Sequence, residues 1–267
     1  MTVRIMGILN VTPDSFSDGG EWFDYDEAVV HGRALIAEGA DILDVGGEST
    51  RPGAEPIAVD EELRRVVPVI GALRPSGVQL SVDTMKLTVA EAAVEAGATL
   101  INDVTAFRHE PQLAGFVADR GCDCCLMHMI GEPRTMQAAA HYDDVVDDVR
   151  AFLEARIEFA VGEGVREERI MVDPGIGFAK TMDHNLELLR RLEEIAAIGF
   201  PVVIGTSRKS FLGHLTGRED PHERVAATLA TIVLALERGA SVFRVHDVAP
   251  TRDALAVATA TLRPDGA

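Results

Sequence analysis

The stretch QLSVDTMKLTVAEAAVEAGATLINDV, residues 79–104, carries the pattern that decides the fold. It opens on a short apolar run (79–84), passes into a longer helical segment, stops at Gly97 and enters a second apolar run (100–104). Runs of Val, Ile and Leu that are near-continuous rather than alternating mark strands buried on both faces. A glycine at the end of a helical segment supplies the left-handed conformation that commonly closes a helix. The same unit recurs outward in both directions. Further runs lie at 4–11, 41–46, 124–129, 170–174, 202–206 and 242–247, which makes eight. Gly39, Gly77, Gly121, Gly164, Gly199 and Gly239 stand at equivalent stops. Between the runs, Leu63, Val66, Val67, Ile70 and Leu73 follow one helical face, as do Val225, Leu229, Ile232 and Leu236. Strands and helices in strict alternation predict an α/β chain, a single-domain (β/α)8 barrel over residues 1–267. An open doubly wound sheet is the alternative, but no G-x-G-x-x-G follows the first run to support it.

The 267 residues include 25 Lys and Arg against 43 Asp and Glu, a formal net charge of −18. Such a surface repels phosphate backbones and anionic membranes, which argues against nucleic acid or membrane as the principal partner. No apolar run reaches the length of a membrane span, and the first residues lack the cleavage region of a secretory leader. The cysteines are confined to Cys122, Cys124 and Cys125. An odd, clustered set is neither a disulfide framework nor a zinc site, and reduced core thiols in a cytosolic protein are the expectation.

Barrel enzymes place their chemistry at the C-terminal ends of the strands. Here those ends are polar in succession: Asn10, Asp44 with Glu48, Asp83, Asn102 with Asp103, His128, Asp173, Ser207 to Lys209, and Arg244 with His246. Singly, each has a structural alternative: Asp83–Thr84 and Thr206–Ser207 as helix caps, His128 as a satisfied core histidine, Asn10 as a turn residue. Eight polar ends in a row favour a site. Two long loops, 12–20 and 46–53, mix glycine, proline and polar side chains and suit lids that close over substrate. In so acidic a chain the basic groups stand out. Arg51, Arg208, Lys209, Arg244 and His246 all fall at the catalytic face, and 205–209 opens a helix whose free N–H groups can hold an anion. The residues by themselves point to an enzyme acting on a small anionic, phosphorylated substrate, with Asp83, Asn102 and Asp173 suited to the N–H edge of a heterocycle.

The motifs themselves are NVTPDSFSDGG (10–20), DVGGESTRPGA (44–54), SVDT (81–84), IND (101–103), LMHM (126–129) with GEPRTMQ (131–137), DPGIGFAK (173–180), GTSRKSFLG (205–213) and RVHDV (244–248). Together they resemble the dihydropteroate synthase family across residues 3–262. The resemblance implies a transferase of folate biosynthesis that condenses 6-hydroxymethyl-7,8-dihydropterin diphosphate with 4-aminobenzoate, giving 7,8-dihydropteroate and diphosphate. It implies that Asp83, Asn102, Asp173 and Lys209 hold the pterin, with Met127 and Phe178 as walls and Arg244 stacked on its face. Asn10 would ligate Mg2+, the implied cofactor. Arg51, Arg244 and His246 would share the diphosphate with Asn10.

The resemblance further implies a dissociative substitution in which diphosphate departs before the amine attacks. Asp18 would then stand near the pterin methylene cation, and Phe16, Thr50, Arg51, Pro52 and Ser207 would form the 4-aminobenzoate slot, where sulfonamides compete. A homodimer through the helices of the last strands is also implied. Two rival readings are a pterin-dependent methyltransferase, which would need neither long loop, and a non-catalytic pterin-binding paralogue, in which those loops are usually eroded.

Overall fold

The computed structural model describes residues 2–12, 25–49, 53–131, 136 and 140–262. Eight parallel strands follow the runs read above: β1 (Arg4–Asn10), β2 (Ile42–Gly46), β3 (Gln79–Asp83), β4 (Leu100–Asp103), β5 (Asp123–Met127), β6 (Ile170–Asp173), β7 (Val203–Ile204) and β8 (Val242–Val245). They run in the order β6-β5-β4-β3-β2-β1-β8-β7. A parallel bridge between Val172 and Val202, with the Val172 N–H donating to Pro201 O at 3.0 Å, brings the two ends together. The sheet is therefore a barrel closed by seven ladders and one single bridge, and the predicted (β/α)8 architecture holds. The seventh run is shorter than expected, because the chain leaves the sheet after Ile204 to build a site loop.

The interior of the barrel is stacked in levels. Arg4 donates to Gln79 Oε1 at 3.2 Å, Gln79 to Asp123 Oδ2 at 2.7 Å and Arg169 to Asp123 Oδ1 at 2.9 Å, a polar closure across the N-terminal ends of the strands. Above it, Met6, Ile42, Leu100, Cys125, Met171, Val203 and Val242 form a separate apolar cluster drawn from seven strands. The polar strand ends come next, at the C-terminal face.

Helices pack around the outside: α1 (Tyr25–Ala37), α2 (Val59–Leu73), α3 (Leu87–Ala96), α4 (Gln112–Arg120), α5 (Val145–Gly162), α6 (Met182–Arg190), α7 (Leu192–Ala196), α8 (Ser210–Thr216), α9 (Val225–Glu237) and α10 (Val248–Leu262). In α2 the expected face is the packed one. Val66, Ile70 and Leu73 are buried, with Leu63 and Val67 half-buried at its margins. Each fully buried aliphatic side chain contributes about 1.5–3 kcal/mol. All seven glycines read as stops have positive φ, and at Gly97, with φ 131°, an added Cβ would also meet Arg74 Cδ at 2.8 Å.

Helix α9 departs from its expected face. Ile232 and Leu236 are buried, but Val225 and Leu229 are only half-buried, while Thr228 and Thr231 turn inward. The reason is polar. Thr228 Oγ1 accepts the Arg208 N–H at 3.1 Å, and Thr231 Oγ1 lies 2.7 Å from Thr206 Oγ1. The helix uses its inner face to hold the loop after β7. Leu229 and Val233 instead line a groove of about 730 Å3 with Val257, Ala258 and Leu262 of α10. The three cysteines are buried and unpaired, as expected.

Candidate active site

Four strands deliver the first half of the site. Asp44 on β2 is wholly buried and accepts three hydrogen bonds: from Ser81 Oγ at 2.6 Å, Asn102 Nδ2 at 2.9 Å and Arg244 Nε at 2.6 Å. The same guanidinium donates from Nη2 to Asp83 Oδ2 at 2.8 Å. Sheet register explains the gathering, since Asp44 pairs with Ser81 and Asp83 with Asn102 on adjacent parallel strands. One cation thus serves two carboxylates. Burial raises the Asp83 carboxyl above its usual range, Arg244 opposes this, and the neighbouring Asp44 charge adds to it. Burial works against the charged form of Arg244, but Asp44 and then Asp83 outweigh it and keep the guanidinium protonated. Asp103, beside Asn102, has a different task. It accepts from the backbone and hydroxyl of Thr105 and from the Phe107 N–H, shaping a turn in which Ala106 and Phe107 have positive φ.

The second half comes from β5, β6 and the loop after β7. Asp173 is buried at the end of β6, and its Oδ1 accepts the Gly175 N–H at 2.7 Å. Burial raises its carboxyl, and the Lys209 ammonium is the main opposing influence. Lys209 itself is pushed down to about 8 by burial, with Asp173 pulling the other way. Its Nζ lies 4.7 Å from the centre of the Phe178 ring and donates to Ile176 O. Met127 is buried beside Met129, Met136 and Ala179, with Phe178 packed against them. Gly175, with φ 68°, has no alternative, because a Cβ there would lie 1.9 Å from His128 O. Behind this wall His128 is buried, neutral and 2.9 Å from Lys180 Nζ, the satisfied core histidine that was one of its two possible roles.

Ser207 and His246 meet directly. Ser207 Oγ accepts the His246 backbone N–H at 3.1 Å and lies 3.0 Å from His246 Nδ1, so its hydroxyl can donate to the ring. Arg208, one of the basic groups expected at the catalytic face, is engaged by a carboxylate. Its guanidinium forks onto Asp247, Nε to Oδ2 at 2.9 Å and Nη2 to Oδ1 at 2.6 Å. Two of the N–H groups at 205–209 that were expected to hold an anion are already engaged. The Arg208 N–H goes to Thr228, the Lys209 N–H to Thr206 O at 3.2 Å, and the helix begins only at Ser210. Arg208 has φ 59°, a strained conformation of the kind that costs about 1–3 kcal/mol and collects at functional loops. The Asp247 fork, Thr228 and a bond from Arg224 Nη1 to Arg208 O at 2.9 Å hold it there.

Asn10 ends β1, half-buried and paired in register with Gly46. Phe16, Asp18, Thr50, Arg51 and Pro52 lie outside the described residues. Sequence patterns assign no role to the network under the second loop. Lys86 Nζ donates to Glu48 Oε2 at 2.6 Å, Glu62 Oε2 at 2.7 Å and Ile57 O at 2.9 Å, while Thr84 donates to Glu62 Oε1 at 2.7 Å. Its one available signal is that Lys86 is among only three lysines in the chain. Asp44 was legible as a polar strand end but not as the acceptor that joins three others.

Comparison with known proteins places the chain in a family. The family model described as pterin binding enzyme matches residues 6–246. The dihydropteroate synthase of Synechocystis sp. is 44% identical over 260 residues, covering 97% of this chain and 90% of that one. Among solved structures, Xanthomonas albilineans dihydropteroate synthase with 4-aminobenzoic acid superposes with a TM-score of 0.92 at 51% identity, covering 98% of this chain and 94% of that one. The same organism's enzyme in complex with 7,8-dihydropteroate gives a TM-score of 0.88 at 48% identity with the same coverage, 98% and 94%. The chain belongs to the dihydropteroate synthase family of pterin-binding enzymes.

Proposed function

We propose that the C-terminal face of this barrel joins 6-hydroxymethyl-7,8-dihydropterin diphosphate to 4-aminobenzoate, releasing 7,8-dihydropteroate and diphosphate. The observation that carries the reading is the convergence of Asp83, Asn102, Asp173, Lys209 and Arg244 at one end of the barrel, their charges coupled through Arg244 and Lys209. The Asp173 carboxylate accepts from the ring N–H and exocyclic amine of the pterin, a two-point contact stronger than neutral hydrogen bonds. Lys209 donates to the carbonyl side of the ring, and Met127 and Phe178 exclude water. Arg244 lies flat against the heterocycle, since a planar guanidinium stacks well on aromatic faces.

Diphosphate leaves first, and Arg51, Arg244 and His246 receive its charge. Asp18 then offsets the pterin methylene cation until the amine attacks. The 4-aminobenzoate lies between Phe16, Thr50, Arg51 and Pro52 with its carboxylate at Ser207, whose hydroxyl is aligned by His246. Among the described residues no group of three or more His, Cys, Asp and Glu side chains is arranged for a metal. That fits Mg2+, which keeps most of its waters and is held by one or two protein oxygens together with substrate phosphates. Asn10 would be its protein ligand, and the bound ion would offset charge on the departing diphosphate.

The groove between α9 and α10, flanked by exposed Leu234 and Val257, is where a second copy would dock to form the homodimer. Three unpaired cysteines suit a reducing cytoplasm, and among the described residues no helix is long and apolar enough to cross a membrane. The test is a chromatographic assay of purified protein with Mg2+ and both substrates, following dihydropteroate. Product that disappears on chelation supports the reaction and the metal, and sulfonamides should inhibit competitively against 4-aminobenzoate. Pterin binding without product would favour the non-catalytic paralogue.

A further inference from the structure

Asp44 is a fully engaged carboxylate at the centre of the site, yet the roles proposed above leave it unused. It is completely buried in the middle of β2, one level below Asp83, and three donors from three other strands converge on it. Its Oδ2 receives Arg244 Nε at 2.6 Å and Asn102 Nδ2 at 2.9 Å, while Oδ1 receives Ser81 Oγ at 2.6 Å. A carboxylate bonded to a guanidinium is ionised and can only accept. The amide of Asn102 therefore has one orientation open to it. Nitrogen must face Asp44 and oxygen must face away, because an oxygen turned toward Asp44 would set two acceptors against each other in a buried site.

We propose that Asp44 is a positioning and specificity residue: it locks the Asn102 amide so that Oδ1 is presented to the bound ligand as a hydrogen-bond acceptor, and it fixes the plane of Arg244 through Nε. The inference rests on the pterin-binding reading. It goes beyond that reading in stating what the strand-four amide recognises. The ligand atom facing Asn102 Oδ1 must carry an N–H donor, and an acceptor at that atom is disfavoured, because turning the amide to donate there would set its oxygen against Asp44. Arg244 is oriented by the same carboxylate, so its stacking face and its reach toward diphosphate are set before substrate arrives.

The test is calorimetric binding of 6-hydroxymethylpterin, which lacks the diphosphate, to four proteins: wild type, Asp44→Ala, Asn102→Ala and the double variant Asp44→Ala with Asn102→Ala. In Asp44→Ala no acceptor dictates the orientation of Asn102, and affinity should fall about tenfold or more, the scale of one charge-assisted hydrogen bond. Asn102→Ala removes the presented oxygen itself. Once that amide is gone there is nothing left for Asp44 to orient at position 102, so adding Asp44→Ala to Asn102→Ala should cost at least severalfold less affinity than Asp44→Ala costs alone.

Losses that simply add in the double variant overturn the inference, since a merely structural role predicts that Asp44→Ala costs the same with and without Asn102. Unchanged affinity in Asp44→Ala overturns it as well. Should Asp44→Ala fail to fold, Asp44→Ser takes its place in the same cycle, where a reduced cost in the absence of Asn102 supports the lock and an equal cost overturns it. Wild type that does not bind 6-hydroxymethylpterin would instead sink the pterin-binding reading itself.

Discussion

Acidification should destabilise this barrel through His128. The side chain is 2% exposed, its Nδ1 lies 2.9 Å from Lys180 Nζ, and its ring meets Phe152 edge-to-face at 4.8 Å. Burial first, and the Lys180 ammonium second, push its pKa down to about 2. An unfolded imidazole titrates near 6.5. Below that pH the unfolded chain binds a proton that the folded one refuses, so the stability due to neutral His128 is complete above about 6.5 and is lost as pH falls. Each unit is worth about 1.4 kcal/mol, so at pH 4.5 the loss from this residue is about 2–3 kcal/mol, a large share of the usual 5–15 kcal/mol. The control is His128→Phe, which keeps a ring against Phe152 and cannot titrate. It should start lower at pH 7.5, by about 1–3 kcal/mol, because Lys180 loses an acceptor. Urea unfolding of both proteins from pH 7.5 to 4.5 measures the difference, and the variant should fall less steeply by about 2–3 kcal/mol. Parallel slopes would refute the reasoning, as would a His128 proton resonance titrating near 6.5 in the folded protein.

Lys86→Met should cost about 3–5 kcal/mol of stability by chemical denaturation, since Glu62 is 1% exposed and loses its cation; adding Glu62→Gln should recover part of it. Asp173→Asn should weaken pterin binding by about 2 kcal/mol or more in calorimetry, because a buried acceptor pair becomes half donor. Arg51→Ala should cut turnover severely with an unchanged unfolding midpoint, and near-normal kcat would remove its diphosphate role. Burial raises all three thiols, so iodoacetamide should leave Cys122, Cys124 and Cys125 unlabelled in the native protein and label them in urea.

The strands were legible because burial on both faces leaves an uninterrupted apolar run, and the stops because positive φ favours glycine. The inner face of α9 was not. A period-3.6 reading assigns its apolar residues to the core, whereas the core side holds Thr228 and Thr231 to anchor a loop some 20 residues away in sequence. The candidate site residues could be placed at strand ends from the pattern alone. What they bond to could not, since Asp44 and Arg244 are 200 residues apart. Arg208 is opaque for the same reason. A basic residue in an acidic chain looks free until its partner, Asp247, is brought beside it by the β7–β8 ladder within the closed barrel.

That closure is uneven. Seven joins are ladders and the eighth is one bridge between Val172 and Val202. Asp173 ends the strand on one side of that seam, and Lys209 follows the strand on the other, their charges felt across the gap. A molecule gripping both is a clasp as well as a substrate: it fastens the join with the fewest hydrogen bonds of its own. Occupancy of the active site should thus be audible far from the ligand, in the breathing of the whole ring. Empty, the barrel has a preferred place to part; filled, it becomes a continuous hoop.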